Sequence, residues 1–245
     1  MRAVFHAHGD VFVITGGANG IGRALVKAAA AAGARVVVCD VDISAMQTLA
    51  AEDSRIVGRR LDVGDRGEVF ATFAGIEREF GRIDGLVCGA AIQPRTAVQA
   101  MDPTEWQRVL DINLNGVVWC YQAVIGGMVA RRHGSIVAFS SGLAHQGWPQ
   151  ASAYAATKAA LIAFAKSAAK EVAAHRVRFN LIAPGVIDTP QYRAANAGTD
   201  DANWRASTGV GEPEDVVGPL LFLLSDAATM TASLVSRDFA YPAQT

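Results

Sequence analysis

Short β-branched apolar runs alternate along this chain with longer, alanine-rich segments of helical period, and that rhythm leaves room for few architectures. Val11–Thr15, Arg35–Cys39, Arg55–Leu61, Ile83–Cys88, Ser135–Phe139 and Val177–Ala183 read as strands. Most are near-continuous apolar runs, the pattern of strands covered on both faces. Arg55–Leu61 and Val177–Ala183 carry polar residues and read less cleanly. Between them, Gly20–Ala32, Ser44–Glu52, Arg66–Phe80, Thr104–Arg131, Ser152–Ala174 and Pro213–Leu224 read as helices. Gly33, Gly81 and Gly134 each follow a helical run, where a C-terminal glycine is wanted. This alternation predicts βαβ units, hence an α/β fold: a doubly wound parallel sheet with helices on both faces. No Pro-, Gly- or Ser-rich linker divides the 245 residues, so a single domain over 1–245 is expected. The stretch from Val186 to Gly211 has no clean period, and a loop of this length reads as a lid or binding loop.

Composition narrows the function classes. With 22 Lys plus Arg against 23 Asp plus Glu the net charge is −1, and no basic run gives a footprint for nucleic acid. The later apolar stretches are interrupted by Lys166, Lys170 and Glu171 or end at Asp226, so no membrane span is expected. Residues 1–10 carry Arg2, His6, His8 and Asp10 and lack the apolar core of a secretory signal, so a cytoplasmic location is expected. The three cysteines, Cys39, Cys88 and Cys120, are an odd number without CxxC spacing, which predicts neither a disulfide framework nor a metal site.

The first strand runs directly into Thr15-Gly16-Gly17-Ala18-Asn19-Gly20-Ile21-Gly22, and a helix follows. Glycines there let the backbone turn tightly and approach a pyrophosphate, while the helix N-terminus offers free N–H groups and the positive dipole end. An acid, Asp40, closes the second strand 18 residues after Gly22. A carboxylate at that place accepts the hydroxyls of an adenosine ribose and repels a 2′-phosphate. Neither Asn19 nor Val41 is an Arg or Lys that could neutralise such a phosphate. The expected cofactor is therefore NAD. Asp62-Val63, after the third strand, reads as a reach toward the adenine or as an ordinary turn.

Tyr154 and Lys158 stand four apart in a helical segment and so share a face. An ammonium beside a phenol favours phenolate and makes tyrosine a usable general acid or base. Only four lysines occur in the chain, which gives the pairing more weight. Ser140-Ser141, just past the fifth strand, falls at the carboxyl edge of the sheet, where a hydroxyl can hold a substrate oxygen; spacing alone does not separate the two. Asn113 interrupts a helical run with a residue that favours caps and turns.

Thr15-Gly16-x-x-x-Gly20-x-Gly22, Asn113, Ser141, Tyr154-x-x-x-Lys158 and Pro184-Gly185-Val186-Ile187-Asp188-Thr189 together resemble the classical short-chain dehydrogenase/reductase family, whose fold is of the Rossmann type. The likeness runs over about residues 10–238. It implies Tyr154 as acid/base, Lys158 on the nicotinamide ribose and lowering the tyrosine pKa, and Ser141 on the reacting oxygen. It further implies Asn113 as the anchor of a water that relays protons to Lys158, and Pro184, Ile187 and Thr189 beside the nicotinamide carboxamide. Cofactor contacts are expected from Gly16, Asn19, Gly20, Ile21, Gly22, Asp40, Asp62, Val63, Cys88, Ala90, Tyr154 and Lys158. Three departures stand out: Cys88-Gly89-Ala90-Ala91 where members carry Asn-Asn-Ala-Gly, Ala232 in place of a glycine, and Asp238-Phe239-Ala240 in place of Asp-Gly-Gly.

The activity implied is interconversion of a secondary alcohol and a ketone with NAD, and NAD preference favours alcohol oxidation. A 3-oxoacyl thioester reductase would want NADPH and a basic docking patch, against Asp40 and the neutral balance. A non-catalytic NAD-binding regulator would have lost Tyr154, Lys158 or Ser141. Gln93, Arg95, His145, Trp148, Gln150, Tyr192, Arg193, Trp204 and Arg205 are candidates to line the substrate site. Arg193 and Arg205 suggest a carboxylate clamp for a small hydroxy acid or sugar acid, or else are solvated loop residues. By family analogy the chain is expected to be a homo-oligomer, a tetramer or dimer built through Thr104–Arg131 and Ser152–Ala174.

Overall fold

The computed structural model of the protein describes residues 4–198 and 209–237. Seven parallel strands form one sheet in the order β3-β2-β1-β4-β5-β6-β7: β1 (Val11–Thr15), β2 (Arg35–Asp40), β3 (Ile56–Arg60), β4 (Gly85–Cys88), β5 (Gly134–Phe139), β6 (Val177–Ala183) and β7 (Leu234–Ser236). Side chains alternate across this sheet. Val13, Val37, Leu86, Ile136 and Phe179 face one core, while Ile14, Val36, Val38, Val87 and Val137 face the other. Helices α3 (Arg66–Phe80), α5 (Gly116–Arg131) and α7 (Ser152–Val172) close the first core, supplying Phe73, Val124, Met128 and Leu161. Helices α1 (Gly20–Ala31) and α2 (Ile43–Glu52), with a last helix, Val217–Leu224, close the second through Leu25, Leu49 and Leu220.

Local chemistry explains where the elements start. The Asp42 carboxylate caps α2 by accepting from Ala45 N at 3.1 Å, and Asp65 caps α3 by accepting from Glu68 N at 3.0 Å. Asp102 caps α4 (Pro103–Leu110), with Pro103 in its first turn. The polar residues of Arg55–Leu61 belong to β3, an edge strand with only Ile56 fully buried. Those of β6 are bonded rather than solvated: Asn180 donates to Met230 O and accepts from Ser233 N, and Arg178 donates to Leu224 O and Ser225 O. They hold the segment that leads into β7.

Three expectations are corrected. Thr104–Arg131 is not one α-helix: α4 passes through a single π turn, Asp111–Asn115, into α5. β7 is a further strand, three residues long on the far edge beside β6 and too short for its period to show. Val186–Gly211 is not all loop, because it opens on a short bridge and a helix. Ile187 pairs with Gly211, and Asp188 N donates to Gly211 O at 2.8 Å, so the neck of the segment is closed. The helix Pro190–Ala195 then follows, its first turn capped by Thr189 Oγ1. The composite helix Pro103–Arg131 is long and apolar enough to cross a membrane by length and composition alone. Here it packs Ile112, Val117, Cys120, Val124 and Met128 into the first core.

Candidate active site

The strand order reverses between β1 and β4, and a cavity of about 800 Å³ opens along the carboxyl ends of the strands at that point. Its first part is the turn after β1. Gly16 holds φ +66°, and a Cβ there would stand 2.6 Å from Ala90 N; a Cβ on Gly22 would stand 2.2 Å from Gly16 O. Only glycine permits this curl, which presses the turn against the loop after β4 and brings backbone to the cavity. Asn19, Gly20 and Ile21 line the same wall.

Asp40 lies at the end of β2 and is fixed from two sides: it accepts from Ala18 N at 3.0 Å and from Asp42 N at 3.1 Å. Arg60, opposite Asp40 in the β2–β3 register, is paired with Glu68. Arg23 and Lys27 both bridge to Glu52, at 2.9 and 2.8 Å. Asp62 accepts from Gly64 N at 2.9 Å and from Arg108 at 2.6 Å, and these contacts hold its carboxyl below the usual carboxylate range against its burial. Val63 beside it also lines the cavity. Turn, acid and second acid together form a cradle into which a dinucleotide fits.

The opposite wall carries Tyr154 and Lys158, one turn apart on α7. Lys158 is 3% exposed, its Nζ donates to Phe139 O at 2.9 Å, and burial lowers its pKa to about 8. Burial also raises the Tyr154 pKa, opposed by a hydrogen bond with the Ser141 side chain and by the charge of Arg95. Arg95 adds a cation that favours phenolate, and the Lys158 ammonium sits 5.5 Å from the centre of the Tyr154 ring. The two serines separate cleanly. Ser140 Oγ donates to Lys158 O at 3.1 Å and bolts β5 to α7, whereas Ser141 meets Tyr154.

Pro184, Ile187, Thr189 and Ala90 line the cavity as expected from the sequence, and so do Gln93, Arg95 and Tyr192. Other expected residues do not. Cys88 is a buried free thiol hydrogen-bonded with the Cys120 thiol, which turns it into the core rather than toward a cofactor. The Asn113 side chain is fully buried: it accepts from Ile92 N at 2.8 Å and donates to Ile92 O at 2.9 Å, so it braces the loop after β4 from behind. His145 and Trp148 lie outside the lining, with Trp148 46% exposed. Arg193 bonds both Asp188 oxygens, at 2.7 and 3.0 Å, and is unavailable as a clamp. Trp204 and Arg205 lie outside the described residues, as does the Asp238-Phe239-Ala240 departure. The sequence reading missed Gln146, Asn196 and Arg237, which also line the cavity; none carries a spacing signal.

The family profile described as short chain dehydrogenase matches residues 10–200. The chain belongs to the short-chain dehydrogenase family. It is 35% identical over 237 residues to a 3-oxoacyl-[acyl-carrier-protein] reductase of Thermotoga maritima, covering 94% of this chain and 96% of that one. It is 36% identical over 241 residues to a cis-4-hydroxycyclohexanecarboxylate dehydrogenase of Sinomonas cyclohexanicum, covering 95% and 96%. The solved structure of levodione reductase superposes with a TM-score of 0.87 at 28% identity, covering 94% of this chain and 96% of that one. In this short-chain dehydrogenase, the sheet reversal, glycine turn and Tyr154–Lys158 helix face a single cavity.

Proposed function

We propose that this chain is an NAD-dependent oxidoreductase that interconverts a secondary alcohol and a ketone. The observation that carries the reading is the meeting of Tyr154, Ser141 and Lys158 in one cavity with the glycine turn. NAD, when bound, accepts or returns the hydride of the carbinol carbon. The protein's own residues do the rest. Ser141 donates to the substrate oxygen and holds it against the Tyr154 phenol. In oxidation the Tyr154 phenolate takes the hydroxyl proton as the hydride leaves; in reduction the phenol gives it back to the carbonyl oxygen. Lys158, anchored on Phe139 O, keeps two N–H donors for the nicotinamide ribose and a charge close to the phenolate. Asn113 positions the Ile92 peptide rather than a reacting atom.

Asp40 supports NAD over NADP, since it lines the cavity and Arg60, opposite it on β3, is paired with Glu68. The 3-oxoacyl thioester reductase reading keeps the support of the Thermotoga maritima relative. A regulator without activity is disfavoured by the intact meeting of Ser141, Tyr154 and Lys158. A panel of secondary alcohols, hydroxy acids and 3-oxoacyl thioesters, each run with NAD(H) and NADP(H), separates these readings. We expect NADH to form from a secondary alcohol; turnover confined to thioesters with NADPH would overturn the assignment.

A further inference from the structure

Arg95 stands on the loop after β4 and lines the cavity with Tyr154. Its Nε donates to Ala195 O and its Nη2 to Asn196 Oδ1, both at 3.2 Å, so it reaches the end of the helix Pro190–Ala195. Both acceptors are neutral. Nη1 is shut from water and donates to nothing. The other arginines of the cavity are neutralised, Arg108 by Asp62 at 2.6 Å and Arg237 by Asp215 at 3.2 Å. Among the described residues Arg95 has no carboxylate partner, and burial disfavours its charge. An arginine stays charged under these conditions, so the site carries an uncompensated cation beside the group that handles the proton. A guanidinium N–H left without an acceptor is costly, and an entering oxyanion removes that cost.

We propose that Arg95 is a specificity-determining residue that binds a carboxylate of the substrate, so that the alcohols this enzyme oxidises are hydroxy acids. The proposal rests on the catalytic reading of Tyr154 and places the carboxylate a few carbons from the carbinol. On substrate entry the guanidinium exchanges its two long bonds to neutral acceptors for a charge-assisted pair. A carboxylate fits better than a phosphate ester, because one uncompensated positive charge matches one negative charge.

The test uses unreactive probes, so that binding is read apart from turnover. Calorimetric titration of the NADH-loaded enzyme compares cyclohexanecarboxylate with cyclohexanecarboxamide, in the wild type and in Arg95→Met and Arg95→Lys. We expect the carboxylate to bind about 10- to 100-fold tighter than the amide in the wild type. The preference should vanish in Arg95→Met and survive in part in Arg95→Lys, while NADH affinity and the melting temperature hold. Equal affinities for the two probes in the wild type would overturn the proposal. So would an Arg95→Met variant that weakens both probes together, the mark of a residue that merely straps the loop to the helix. NADH formation by the wild type from a panel of hydroxy acids and neutral secondary alcohols tests the catalytic reading separately, and its failure leaves the comparison of probes decisive for Arg95.

Discussion

Replacing Asp40 isolates one charge in the cofactor cradle. The carboxylate accepts from Ala18 N and Asp42 N, and both bonds are about 3 Å long. A 2′-phosphate on the ribose would lie against it. Two unit charges about 4 Å apart interact by roughly 4 kcal/mol at an effective dielectric of 20. Asp40 is half-buried, and screening at the mouth of the cavity cuts this to about 2 kcal/mol. Asp40→Asn should therefore narrow the preference for NADH over NADPH by about 30-fold, since 1.4 kcal/mol is about a factor of ten. Its amide can accept only one of the two backbone N–H groups, which costs about 1–3 kcal/mol of stability. Val41 is 59% exposed and lines the same cavity, so adding Val41→Arg supplies a cation where the phosphate would sit. The double variant should prefer NADPH. Fluorescence titration with both reduced cofactors reads the ratio, and circular dichroism checks the fold. A wild type that binds NADPH as tightly as NADH, or a ratio unmoved by Asp40→Asn, would refute the reasoning.

Ser141→Ala should lower kcat by about 100-fold or more with NADH affinity intact. Ser140→Ala should instead cost stability, about 1–2 kcal/mol in a denaturant midpoint, for the lost bond to Lys158 O. Burial raises Tyr154 above its ordinary value, opposed by Ser141 and the charge of Arg95, and lowers Lys158 to about 8, so the lysine sheds its proton before the phenol does. Oxidation needs phenolate and should keep rising above pH 8, as the tyrosine titrates; reduction needs phenol and should fall over the same alkaline range, and initial rates in both directions check the sign. Ala232 holds φ +61°, a left-handed backbone that glycine adopts without strain. Ala232→Gly should stabilise the fold by about 0.5–1 kcal/mol in thermal or urea unfolding, less if the lost methyl was packed well.

The sheet was legible because strands covered on both faces have no solvent side to write polar residues into; β1, with all five residues buried, is the clearest case. The glycine turn was legible for a steric reason, as the contacts a Cβ would make at Gly16 and Gly22 show. What escaped was set by three-dimensional partners. The π turn keeps a helical period on either side, so no spacing marks it, and Asn113 within it is turned inward to bond Ile92. Ser140 and Ser141 are told apart by which way each hydroxyl points at the strand end. Arg193 looked like a clamp until Asp188, five residues earlier, claimed both edges of its guanidinium. Arg95, by contrast, is distinguished by having no carboxylate partner among the described residues, a property that no spacing encodes.

The central claim is that the Tyr154 phenol moves the proton. Tyr154→Phe keeps the ring against Lys158 and removes the hydroxyl that meets Ser141. The account predicts that this variant binds NADH as the wild type does and loses alcohol oxidation by about 1,000-fold or more. Oxidation within tenfold of wild type, at unchanged NADH affinity, would contradict it.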